Sequence, residues 1–220
     1  MTDSHVDNAN IELIRTLFRL REALDVYELI SANSQEIKRL GRGKTFFAYA
    51  QHAAVDSIAI QICKIYEREK IKKNSDPVHA LNSIDGIMRL IRAQSFEPKY
   101  RDLIDTFIIK YLGATSQDYS WSLDLIVANF RKANSESIKR FQRYRHKFVA
   151  HSEQGAERQD IPSFEVMYKL FDFAYDFYRA ISDGLLGFGP VELDTNRKTK
   201  VALMHILKEH GLQDIKDRLE

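Results

Sequence analysis

The run RYRHKFVAHS, residues 143–152, concentrates the side chains of this chain that could do chemistry. Arg143, Arg145, His146 and Lys147 fall close together, and Phe148-Val149-Ala150 leads to a second histidine, His151. RNA can be cut without a metal ion if three needs are met. A base must take the proton of the 2′-hydroxyl, a cation must offset the charge gathering on the phosphate, and an acid must protonate the leaving 5′-oxygen. Histidine titrates near neutrality and can act as base or acid. Arginine can hold phosphate oxygens through its planar fork. Arg145 and His151, assisted by Lys147 or His146, are chemically adequate for this reaction.

Spacing qualifies that reading. On an ideal α-helix, six steps of ~100° place Arg145 and His151 about 120° apart, off a common face. Lys147 and His151, at i and i+4, do share one. The pair can still meet if the helix ends near Ala150 and His151 swings free, or if a second subunit completes the site across a two-fold axis. Two plainer roles stand beside these. His151 could cap a helix C-terminus, where the dipole favours it, and Arg145 could pair with an acid on another helix, such as Glu67.

The elements that must position these residues read as helix after helix. Residues 10–32 carry Ile11, Ile14, Leu17, Phe18, Leu20, Leu24 and Tyr27 at helical spacing. GRGK (41–44) breaks the chain before a long helix over 45–70, with Phe47, Ala50, Ala54, Ile58, Ile62 and Ile65 on one stripe. NSDP (74–77) is an N-cap signal ahead of a helix over 78–93. Pro98 opens the next helix, which Gly113 ends near Leu112. Residues 121–149 are helical with a break at Ala133-Asn134-Ser135. Residues 163–186 carry an aromatic stripe suited to a core. GFGPVELD (187–194) reads as a linker to a last helix over 197–210, which would dock on the body or on a partner. No strand alternation or βαβ unit is visible, so the expected class is an all-α bundle. It divides into a bundle domain, 1–186, and a linker with a C-terminal helix, 187–220.

Composition agrees. With 44% hydrophobic and 29% charged residues, the chain is that of a folded soluble protein, and 9 glycines and 4 prolines suit helices. The polar N-terminus lacks a signal-peptide core, and no apolar run reaches membrane-spanning length. The single cysteine, Cys63, reads as a small buried apolar residue in a reducing compartment, which points to the cytoplasm. Net charge is only +2, but Arg131, Lys132, Lys139, Arg140, Arg143, Arg145 and Lys147 face a single acid, Glu136, within 131–147. That +6 segment on a remainder of −4 is a footprint for a polyanion, or else a solvated helix face. GRGK lacks the Walker spacing, GFGP follows no strand, and there is no HExxH. The His146/His151 and His205/His210 spacings place each pair on opposite helix faces, poor for zinc. No metal and no cofactor is expected. Tyr144 and Phe141 have the spacing of core residues.

RHKFVAH resembles the R-x(4–6)-H signature of the HEPN superfamily (higher eukaryote and prokaryote nucleotide-binding domains). Its fuller form, Arg-polar-Lys-x-x-Ala-His, looks like that of the branch linked to abortive-infection proteins of the AbiU type. Arg145, His146, Lys147, Ala150 and His151 match it position by position. The context is similar over roughly residues 10–186. A long upstream helix ends in ICKIYE, whose Glu67 stands where the family usually has Asp. The resemblance implies an antiparallel helical bundle of HEPN type with a C-terminal helical extension. It also implies a metal-independent endoribonuclease acting as a homodimer with the two motifs facing each other, often in phage defence or a toxin–antitoxin system, with RNA as substrate and an antitoxin protein as partner. Arg145 and His151 would be catalytic and His146 would shape the site or bind phosphate. Lys147 would bind RNA, with Lys139, Arg140, Arg143 and Glu67 in support. Some members of the superfamily only bind nucleotides or RNA. The alternative is therefore a non-catalytic helical dimer that binds RNA or a protein through the 131–147 face.

Overall fold

The computed structural model describes residues 3–41, 43–68, 83–93, 97–116, 118–150, 161–193, 198–212 and 215. Among these it is helical throughout, without a strand. The first helices are α1 (Asp3–Ala32), α2 (Ser34–Lys38), α3 (Gly43–Ile65), α4 (Ile84–Arg92) and α5 (Arg101–Leu112). They are followed by α6 (Tyr119–Ala133), α7 (Ser135–Tyr144), α8 (Phe164–Arg179) and α9 (Lys198–Glu209). Two helices run on into π-helical turns, α7 through Arg145–Ala150 and α8 through Ala180–Leu185.

Local chemistry sets several of the ends. Ser83 caps α4 by accepting from the Gly86 N–H at 3.2 Å, and Asp118 caps α6 by accepting from the Trp121 N–H at 2.9 Å. Gly113 ends α5 at φ 73°, a left-handed conformation that costs glycine little. The break at Asn134 falls where expected, and its side-chain amide donates back to the Phe130 carbonyl at 2.8 Å.

Three boundaries differ from expectation. α1 begins at Asp3, well before residue 10, and Ile11 is 42% exposed, off its buried stripe. α5 begins at Arg101, three residues after Pro98. α3 stops at Ile65 instead of reaching residue 70. Its end is captured from outside: Arg131 Nη2 donates to the Tyr66 carbonyl at 2.9 Å and approaches the Glu67 carbonyl at 3.5 Å. A guanidinium on the last carbonyls takes the place of further helix. The NSDP cap signal lies outside the described residues.

α1 is the spine. It packs against α3, α8, α4 and α9, burying Leu13, Leu17, Leu20 and Leu24 completely. α3 lies between α1 and α7, with Ile58 and Ile62 fully buried. The aromatic stripe of α8 is core: Phe171, Phe173 and Phe177 are buried, and Phe173 stacks on Phe130 at 3.6 Å between ring centroids. α9 docks on the body. Its Leu203 and Leu207 join Leu29, Ile30, Ile37 and Phe47 in a second, smaller core. No described helix is long and apolar enough to cross a membrane.

Candidate functional site

The motif stands on the seam between α3 and α7. Phe141 and Tyr144 are buried, fixing one face of α7 against the body, and the Tyr144 hydroxyl donates to Asp56 Oδ1 on α3 at 2.7 Å. This pins the last turn of α7 immediately before the chain widens into the π-helical turn at Arg145. That turn also packs on α3. A π-helix closes i→i+5 bonds, so the ~100° step used to set Arg145 and His151 apart does not hold across 145–150. Such insertions are rare and recur at functional sites.

Arg145 is half-buried at the head of this turn, while His146 and Lys147 are exposed. Among the described residues Arg145 makes no ion pair, with Glu67 or any other acid. The alternative role for Arg145, a pairing with Glu67, is therefore not formed. Both residues nonetheless converge on Cys63. Burial pushes its thiol up to about 11, Arg145 opposes that rise, and Glu67 adds to it. Cys63 is 2% exposed and stays protonated at neutral pH, so it is packing and not a nucleophile. The structure thus gathers Arg145, Cys63 and Glu67 into one neighbourhood where α3 ends. His151 lies outside the described residues.

The basic run divides by role. Arg143 and Lys147 are exposed. Lys139 is exposed and pairs with Glu136 at 2.8 Å, and Arg140 donates to the Ile161 carbonyl at 3.3 Å. Arg131, counted with the surface charge in the sequence, is 7% exposed and belongs to the interior. Its Nη1 pairs with Asp85 Oδ2 at 2.5 Å. The polyanion footprint is smaller by that charge.

Two acids that hold the surrounding side chains escaped the sequence reading: Asp56 and Asp85. The inward turn of Arg131 did carry a usable signal, because Val127, Arg131, Asn134 and Ile138 follow one another at steps of three and four on the buried side. Asp56 and Asp85 are each the single acid of their helix, and their partners lie 88 and 46 residues away. No group of three or more His, Cys, Asp or Glu among the described residues could hold a metal ion.

The helical bundle, without a strand among the described residues, is consistent with a HEPN-type fold. The AbiU2 family model, of that type, matches residues 3–201, and the chain belongs to this family. No curated protein and no solved structure matches it significantly.

Proposed function

We propose that the protein is a metal-independent endoribonuclease acting in phage defence or in a toxin–antitoxin system. One observation carries the reading. Arg145 is held half-buried in a π-helical turn without an ion-pair partner among the described residues, beside the exposed His146 and Lys147. A guanidinium in that state is ready to take an anion, and a phosphate fits its fork.

In the reaction, His151 takes the proton of a 2′-hydroxyl and the 2′-oxygen attacks the adjacent phosphorus. The P–O5′ bond breaks to leave a 2′,3′-cyclic phosphate, and the departing 5′-oxygen takes a proton from a second acid. Arg145 offsets the charge on the phosphoryl oxygens as they crowd. A second histidine, from His146 or from the facing motif of a homodimer, supplies the acid. Lys147 and Arg143, with Lys139 and Arg140, hold the flanking strand, and Glu67 tunes the field around Arg145. An antitoxin protein would cover this face.

The test incubates purified protein with mixed tRNA and mRNA in EDTA, beside Arg145→Ala and His151→Ala. Cleavage by the wild type alone, leaving 2′,3′-cyclic ends, is expected. Intact RNA with all three proteins folded, and RNA still bound, would favour a non-catalytic helical binding dimer instead.

A further inference from the structure

An open cleft of about 210 Å³ lies along the first turns of α7, lined by Tyr66, Arg68, Arg131, Ser135, Lys139 and Gln142. Three of these are cations, and among the described residues no acid lines it. Asp85 pairs with Arg131, and Glu136 meets Lys139 through an exposed pair that exchanges at little cost. Arg131 is 7% exposed, and its Nε is buried without a hydrogen-bond partner among the described residues. Burial lowers its pKa, Asp85 opposes that, and the charge of Arg68 lowers it further, which places the two guanidiniums within each other's field. The first turn of α7, at Ser135, has no side-chain cap.

We infer that this cleft is a phosphate-binding subsite and that it takes a backbone phosphate of the RNA strand whose cleavage is proposed above; the choice of strand rests on that reading. The parts divide the work. Both Nη atoms of Arg131 are committed to Asp85 and the Tyr66 carbonyl, so Arg131 supplies fixed positive charge. Arg68 and Lys139 supply the donors that reach, with the Ser135 hydroxyl and the Gln142 amide beside them. A bound phosphate relieves the repulsion between Arg68 and Arg131. Lys139 and Arg145 are six residues apart on one helix, roughly 9 Å along its axis. The subsite therefore binds a phosphate near the cut and sets the strand's direction across the motif.

The test measures binding to an uncleavable 2′-O-methyl RNA oligonucleotide across a salt series, with inorganic phosphate as a second ligand. The proteins are the full-length wild type, Arg68→Gln/Lys139→Gln, and a matched two-charge control, Lys169→Gln/Lys208→Gln, on exposed lysines elsewhere. The double variant should bind the oligonucleotide at least 10-fold more weakly than the control. Its salt slope should be shallower by about 0.7 to 1.4, one to two phosphate contacts on a single strand. Equal losses in the two double variants would overturn the inference. If phosphate raises the melting temperature of the wild type but not of Arg68→Gln/Lys139→Gln while RNA affinity is unchanged, the strand assignment fails and a free phosphate compound is the ligand. If the wild type binds no RNA, the ribonuclease reading is what has failed. The phosphate arm then decides alone: a melting shift lost in the double variant upholds the subsite, and its absence removes it.

Discussion

α7 and α8 each run on into a six-residue π-helical turn, and the two turns live in opposite surroundings. Ala180–Leu185 is buried along its whole length, with Ile181 at 0% and Leu185 at 4% exposure. α5 packs directly on it, and the Gly184 carbonyl accepts from the Tyr100 N–H at 2.9 Å. Arg145–Ala150 instead exposes His146 and Lys147 and leaves Arg145 half-buried. A wide turn gives up regular i→i+4 bonding and has to be compensated. At the end of α8 the compensation is packing. At the end of α7 the turn packs on α3 and also presents cations, His146 and Lys147 being exposed. The same backbone device fastens one helix into the core and opens the other at the surface.

Substitutions separate the two roles. Arg145→Ala should lower RNA cleavage by at least about 100-fold, the scale of losing one preorganised charge stabiliser. It should move the melting temperature by less than about 2 °C, since no described ion pair is lost. A cleavage rate within threefold of wild type would remove Arg145 from the chemistry. Gly184→Ala should do the reverse. A Cβ at Gly184 would lie 2.5 Å from Ile104 Cγ1 and 3.3 Å from the Ile104 backbone nitrogen, and Ile104 is fully buried. The gain in helix propensity, about 1 kcal/mol, is outweighed by overpacking at about 1–3 kcal/mol. The melting temperature should fall by several degrees, read by calorimetry, while cleavage per folded molecule is retained. An unchanged or higher melting temperature would show that α5 can give way.

Much of this contrast was legible beforehand. The stripes of α1, α3 and α8 follow from apolar spacing alone, because burial of one face dictates that spacing. The motif was visible because arginine, histidine and lysine crowd together in one short run. The π-helical turns were not legible. Both occupy sequences that an ordinary α-helix accepts, and only tertiary packing selects the wider winding. Arg131 was misread because a charge count has no sense of facing. Its side chain turns inward to the carbonyls at the end of α3, and the carboxylate that balances it comes from α4. The early stop of α3 has the same cause, an arginine 65 residues downstream. Tertiary partners of that kind leave no local pattern.

Tyr144→Phe sharpens the comparison at smaller scale. It deletes the hydroxyl that donates to Asp56 and leaves the packing of the ring. Asp56 is half-buried and can recruit water, so the cost should fall below the usual range for a bond to a charged acceptor, at about 1 kcal/mol. For a chain of this length that is a fall of roughly 2–4 °C in melting temperature. If the bond positions the π-helical turn, cleavage at 25 °C, where the variant is fully folded, should also drop several-fold, and Tyr144→Phe/Arg145→Ala should be no slower than Arg145→Ala. Additive losses would mean that Tyr144 only stabilises the fold.

The smallest effect belongs to the buried turn. Asp183 is 4% exposed, its Oδ1 lacks a hydrogen-bond partner among the described residues, and Arg179 Nε stands 3.7 Å from Oδ2. Burial raises its carboxyl above the ordinary aspartate range, against the opposing pull of Arg179 and of the Ser182 hydroxyl. A carboxyl raised in the folded state favours folding when protonated. Its stabilising contribution is full below the unfolded value near 3.9 and is lost as pH rises through the elevated folded value. At neutral pH the ionised Asp183 is therefore a net cost. Asp183→Asn should raise stability there. The advantage should shrink as pH falls through the elevated value toward 4. The measurement is denaturant midpoint against pH for both proteins. A variant less stable than wild type at pH 7, with the gap closing toward acid, would mean that the Arg179 pair outweighs burial. The turn at the end of α8 would then be held by charge as well as packing, which narrows its difference from the turn that carries Arg145.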